Sequence, residues 1–140
     1  MKTFVDTNIL VYAYDRGAGE KHLQARRAIR QLWKEGTGAL STQVLQEFYV
    51  NVRRKSRKPI SIRSARSLVA DYMAWDPVVN DGTLILEAMD AERRHKISFR
   101  DALIVVAAQK CEADVILSED FSHGQKYGSV RIVNPFEVER

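Results

Sequence analysis

Hydrophobic and polar positions along this chain switch between a period of two and a period near 3.6, dividing it into short strands and amphipathic helices. Lys2 to Asp6, with β-branched and aromatic residues, predicts a first strand. A helix is predicted from Asn8 to about Tyr14, broken by Asp15-Arg16-Gly17-Ala18-Gly19. Glu20 to Lys34 has helical spacing in Leu23, Ala28, Ile29, Leu32 and Trp33, and Gly36 ends it. Gly38 to Ser41 suits a second short strand. Ser41 or Thr42 can cap the next helix, which carries Val44, Leu45, Phe48 and Val52 on one face. Pro59 separates it from a helix over Ser61 to Tyr72. Ala74 to Val79 is a weaker strand, assigned to a sheet edge because Pro77 interrupts it. Asp81 to His95 is helical, with Leu84, Ile85, Ala88, Met89 and Ala91 as inner positions. Ser98 opens the last helix, which runs through Lys110 and is apolar nearly all round, so deep burial is expected. Asp114 to Ser118 and Val130 to Val133 complete about five strands. Strands alternating with helices predict an α/β fold with a mostly parallel sheet covered on both faces. With no repeat, linker or low-complexity segment, residues 1–140 are expected to form a single domain.

Composition narrows the class of protein. At 45% hydrophobic and 29% charged residues, the chain matches a globular domain able to bury one core. No apolar stretch approaches the roughly 20 residues that cross a bilayer, and the first residues lack the apolar core of a signal peptide. The lone Cys111 rules out an internal disulfide and a multi-cysteine zinc site, and its apolar helical setting predicts a core residue. A cytoplasmic location without membrane contact is expected. The net charge of +4 is a mild invitation to polyanions. Its distribution says more: Arg53, Arg54, Lys55, Arg57 and Lys58 form a dense run, and Arg26, Arg27 and Arg30 a second cluster. Each alone reads as a solvated helix end; together they can track a phosphate backbone, with binding that weakens as salt rises.

Acidic residues fall at positions that carry chemistry in such folds. Asp6 ends the first strand and Ser118-Glu119-Asp120 follows a later one; ligands of open α/β sheets bind beyond the carboxyl ends of the strands. Asp6 is also a candidate helix cap, although Thr7 or Asn8 could serve equally. Ser98-Phe99-Arg100-Asp101 resembles a capping box, a role for Asp101 that is compatible with a site at the mouth of the apolar helix. Glu47 flanks the apolar stripe of its helix, one step from Phe48 and three from Val44.

Phe4-Val5-Asp6-Thr7-Asn8-Ile9-Leu10, Glu47 in a central helix, Ser98-Phe99-Arg100-Asp101-Ala102-Leu103-Ile104 and Leu117-Ser118-Glu119-Asp120-Phe121 together resemble the PIN domain. Their order and spacing resemble the VapC toxins of VapBC toxin–antitoxin pairs, and Gly124, Gly128 and Asn134-Pro135-Phe136 resemble the end of many such toxins. The resemblance covers essentially the whole chain. It implies a three-layer α/β/α sandwich and an endoribonuclease holding Mg²⁺ or Mn²⁺ on Asp6, Glu47, Asp101 and Asp120. It also implies help from Thr7, Asn8 or Ser118 in positioning water or ligand, a small antitoxin that masks the site, and a homodimer. Glu119 beside Asp120 leaves the fourth position open between the two. The apolar stretch Ile9 to Tyr14 is either an exposed antitoxin contact or ordinary core.

Four clustered carboxylates repel one another unless a cation intervenes, and hard divalent ions take oxygen ligands and bridge to phosphate. On that reasoning Asp6→Asn is expected to abolish cleavage and slightly stabilise the metal-free protein. His22, His95 and His123 are scattered and offer no pair for metal-free RNA cleavage; His123, nearest to the proposed site, could touch substrate. The rival reading is a non-catalytic RNA-binding or scaffold domain on the same fold.

Overall fold

The computed structural model describes residues 1–137. Its elements are β1 (Thr3–Val5), α1 (Thr7–Tyr14), α2 (Glu20–Glu35), β2 (Gly38–Ala39), α3 (Thr42–Arg54), α4 (Ile62–Tyr72), α5 (Gly82–His95), α6 (Phe99–Lys110), β3 (Val115–Leu117), β4 (Lys126–Tyr127) and β5 (Val130–Val133). The sheet order is β2-β1-β3-β5-β4, parallel throughout except for the antiparallel β4. Phe4 pairs with Ile116, and Ile116 with Ile132, so three buried apolar side chains cross the middle of the sheet. β1 and β3 are buried along their whole length because helices cover both faces, whereas β5 alternates buried Val130 and Ile132 with half-buried Arg131 and Val133. The helices form the outer layers of a three-layer α/β/α sandwich. α6 is buried at Ala102 and from Ile104 to Ala108, as its unbroken apolar run predicts.

The chain leaves β1 on one side to form β2 and returns on the other to form β3. The order therefore reverses at β1, and a crevice opens at the carboxyl ends of β1 and β3. Asp6 continues β1, its N–H donating to Leu117 O at 3.0 Å, and Ser118 continues β3, its N–H donating to Val133 O at 3.1 Å.

Two strand assignments change. Ala74–Val79 is not a strand: Met73–Trp75 is a 3₁₀ turn, Asp76 takes a left-handed φ of 51°, and only Val78 forms a single parallel bridge, to Ser41. The segment does lie beside β2, but Trp75 turns inward onto the α-carbon of Gly38, where a Cβ would fall 2.6 Å from ring atoms. That packing, with the missing N–H of Pro77, prevents a regular ladder. The fifth strand is instead β4, joined to β5 through Gly128 at φ 62° and Ser129. This Gly-Ser two-residue turn is a hairpin signal the periodicity had not brought out.

The inner faces of two helices also shift. Leu84, Ala88 and Ala91 of α5 are buried, whereas Ile85 and Met89 are 40% and 49% exposed. In α2 the buried residues are Ala25, Ile29 and Leu32, while Leu23 is exposed and Trp33 partly so. Trp33 instead joins an aromatic cluster with Tyr72 and Trp75 at the α2–α4 corner. Ile9, Leu10 and Ala13 are core residues, while Val11, Tyr12 and Tyr14 are half-buried, so only part of the Ile9–Tyr14 stretch is ordinary core. No helix among the described residues is long and apolar enough to cross a membrane.

Candidate active site

Asp6 stands at the centre of the crevice and is fully buried. It is the N-cap of α1: its Oδ1 accepts from Thr7 N at 2.7 Å, so Asp6 rather than Thr7 or Asn8 takes the cap. Its other oxygen accepts from Ser118 Oγ at 2.7 Å, and Ser118 Oγ in turn accepts from Asp120 N at 3.1 Å. Capping and the crevice thus use the same carboxylate, because β1 ends where α1 begins.

Glu47 reaches the crevice from the middle of α3. Ser41 starts that helix by accepting from Val44 N at 3.3 Å, and the amphipathic turn that follows aims Glu47 along the edge of the core. Thr7 Oγ1 donates to Glu47 Oε1 at 2.6 Å. Asp101 arrives from the first turn of α6, where its N–H donates to Ser98 Oγ at 3.1 Å.

These three acids meet on a residue to which the sequence had assigned no role. Arg100 Nη2 lies 2.7 Å from Asp6 Oδ1, 2.8 Å from Glu47 Oε1 and 3.2 Å from Thr7 Oγ1. Its Nη1 lies 3.2 Å from Asp101 Oδ1 and 3.4 Å from Asp6 Oδ2, and its Nε 3.3 Å from Glu47 Oε2. A signal for this was present in the sequence. A cation in the first turn of a helix opposes the helix dipole, and is best explained by acids held against it. Gln43 was also passed over: one turn before Glu47 on α3, it donates from Nε2 to Arg100 O at 3.4 Å and is buried.

Asp120 stands more exposed at the rim, where Asn8 Nδ2 donates to its Oδ2 at 2.8 Å. Glu119 is turned away. Its two oxygens accept from Tyr12 OH at 2.6 Å and Lys21 Nζ at 2.7 Å, and Lys21 lies over the rings of Tyr12 and Phe136. His123 is likewise tied elsewhere: its Nδ1 accepts from Asn134 N at 3.0 Å, bracing the loop after β3 against the end of β5. Burial pushes the Cys111 thiol up, which suits the inert packing role expected of it.

A cleft of about 540 Å³ runs past Thr7, Asn8, Glu47, Lys55, Arg100 and Asp120. Of the dense basic run, Lys55 lines this cleft. Arg53 instead stacks on Tyr49, 4.6 Å from the ring centre, and Arg57 and Lys58 give their backbone N–H groups to buried Asp15. A larger groove of about 1030 Å³ on another face is lined by Arg16, Arg26, Arg30, Lys58 and Arg63, so the second basic cluster belongs there in part.

Burial opposes ionisation of both Arg100 and Glu47, but the hydrogen bonds of Arg100 to Asp6 and then Glu47 raise the guanidinium pKa, and those of Glu47 from Arg100 and Thr7 lower the carboxyl pKa. Asp15 behaves similarly: burial raises it, yet the amides of Arg57, Lys58 and Gly17 carry the net shift downward. For both acids the folded value lies below the ordinary one. Their contribution to stability is therefore complete above the ordinary values of 4.5 for Glu47 and 3.8 for Asp15, and is lost as pH falls through the lower folded values. Melts recorded across this acid range are expected to show a steeper loss in wild type than in Glu47→Gln. Parallel curves for the two proteins would contradict it.

The donor set suits a hard divalent ion: carboxylate oxygens from separate elements converge on one positive charge, with Arg100 standing in for an ion. Asn8 Oδ1, a buried acceptor without a partner among the described residues, is of the kind a metal-bound water can satisfy. As the side chains stand, no three His, Cys, Asp or Glu among the described residues are in a metal-holding arrangement.

Known proteins bear on this geometry. The family model of the PIN domain matches residues 3–127. Among solved structures, Mycobacterium tuberculosis VapC20, described as a Sarcin-Ricin loop cleaving toxin, superposes with a TM-score of 0.63 at 22% identity, covering 82% of this chain and 87% of that one. FitAB bound to an IR36 DNA fragment gives 0.69 at 16% identity, covering 99% and 98%. VapBC2 from Rickettsia felis, bound to a DNA fragment from its promoter, gives 0.62 at 21% identity, covering 94% and 97%. No curated protein matches the chain. With the family match spanning four of the five strands and every helix, this chain belongs to the PIN domain family.

Proposed function

We propose that this chain is a metal-dependent endoribonuclease, the toxin of a toxin–antitoxin pair, hydrolysing RNA phosphodiester bonds at the Asp6–Glu47–Asp101–Asp120 crevice. The observation that carries this reading is the convergence of Asp6, Glu47 and Asp101, from three separate elements, on a single cationic centre. Asp6, Glu47, Asp101 and Asp120 would hold Mg²⁺ or Mn²⁺. Such an ion would supply an activated water for hydrolysis and charge compensation at the phosphate. Ser118 and Thr7 orient the carboxylates by donating to Asp6 and Glu47. Lys55 offers a phosphate contact at the mouth of the cleft. The relatives named above, one a Sarcin-Ricin loop cleaving toxin and two, FitAB and VapBC2, bound to DNA fragments, support the toxin reading and a small antitoxin partner, and a cytoplasmic setting is proposed with it. Homodimerisation is proposed from the sequence resemblance alone.

One observation favours the scaffold reading: Arg100 already neutralises the cluster, so the acids can coexist without a metal. Purified protein incubated with structured RNA separates the two. A nuclease gives Mg²⁺- or Mn²⁺-dependent products with 5′-phosphate and 3′-hydroxyl ends, absent with chelator and from Asp120→Asn. A scaffold binds the RNA and leaves it whole under every condition.

A further inference from the structure

The chain's own cation occupies the point toward which the acids converge. Arg100 Nη2 is within 2.8 Å of both Asp6 Oδ1 and Glu47 Oε1, while Nη1 and Nε engage Asp101 and the remaining Glu47 oxygen. A magnesium ion draws its oxygen ligands to about 2.0–2.1 Å in a near-octahedral set. Oxygens committed to guanidinium N–H donors cannot close on such an ion at the same time, and two cations would repel strongly across so short a gap.

We propose that Arg100 is an exchangeable internal counter-ion: its guanidinium holds Asp6, Glu47 and Asp101 together in the metal-free protein and competes with a divalent metal for the same carboxylates. This rests on the metal site proposed above. Its exit is open, because the Arg100 side chain is 33% exposed on the cleft wall and can swing by side-chain rotation alone. Its seat also depends on the acids. Arg100 lies in the first turn of α6, where the helix dipole disfavours a cation, so once a metal takes the carboxylates the helix end no longer favours the guanidinium there.

Calorimetric titration of Mn²⁺ into the metal-free full chain tests this. Arg100→Gln is expected to bind Mn²⁺ at least about tenfold more tightly than wild type, since the ion no longer displaces a charge-assisted donor set. The same variant should melt at a lower temperature without metal. Wild-type protein supplies a second measurement that needs no variant: the Arg100 Nε–H resonance should shift during a Mg²⁺ titration, with its midpoint at the Mg²⁺ dissociation constant. Equal or weaker Mn²⁺ affinity in Arg100→Gln, or an Arg100 signal unmoved at saturating Mg²⁺, overturns the competition while leaving the metal site standing. Failure of both proteins to bind Mn²⁺ overturns the metal site itself, and the competition with it.

Discussion

Asp6→Asn is expected to cut RNA hydrolysis by at least about a hundredfold, by removing the central carboxylate of the crevice. It is also expected to destabilise the metal-free protein, by about 1–3 kcal/mol. The sign of the second effect follows from Arg100. Repulsion among bare acids would make Asn stabilising, as the sequence alone suggests. In the folded protein, however, Asp6 accepts from Arg100 on both oxygens, from Thr7 N and from the Ser118 hydroxyl. An amide at position 6 can keep only one acceptor oxygen, so in either orientation its NH₂ faces guanidinium N–H groups. Chemical denaturation of the metal-free variant measures the loss. Stability equal to or above wild type would show that Arg100 does not neutralise the cluster in solution.

This reversal marks where the sequence stops being legible. Strand-end acids, an apolar helix and a cap signal are local patterns, and they located Asp6 and Asp101 from a few neighbouring residues each. Glu47 could be placed on its helix but not aimed, because its direction depends on Thr7 and Arg100, 40 and 53 residues away in sequence. Arg100 was visible as a letter inside a motif. Its role needed the tertiary fold to bring the start of α6 within reach of Asp6 and Glu47, which no period encodes. The same holds for Ala74–Val79, whose composition permits a strand while the contact of Trp75 with Gly38 forbids one. Glu119 and Asp120 are adjacent in sequence and opposite in use, one held by Tyr12 and Lys21 and the other by Asn8, partners that only the folded chain brings to the bend after β3.

Asp15→Ala carries the next largest expected effect, a loss of about 1–3 kcal/mol, because it leaves three part-buried backbone amides without an acceptor. Asp15 is itself buried and accepts from Gly17 N at 3.0 Å, Arg57 N at 2.8 Å and Lys58 N at 3.0 Å. It pins the turn after α1 to the α3–α4 connection. The approach is so close that a Cβ on Gly17 would fall 2.7 Å from Arg57 Cβ. The basic run is therefore held by an acid from a distant turn, and its cations hang from a fixed backbone. Hydrogen exchange of the Arg57 and Lys58 amides should accelerate in the variant together with the drop in denaturation midpoint. A change within about 0.5 kcal/mol, the range of ordinary surface substitutions, would mean that water replaces Asp15 without cost.

The aromatic cluster at the α2–α4 corner determines what light can report about this protein. Both tryptophans of the chain, Trp33 and Trp75, are in it, their ring centres 5.1 Å apart, and neither lines the acidic cleft. Intrinsic emission will follow the undocking of that corner and the loss of Tyr72 and Trp75 from beside β2. It will stay nearly silent while cations exchange among Asp6, Glu47 and Asp101, so a fluorescence titration that shows no change with metal says nothing about whether the crevice has filled.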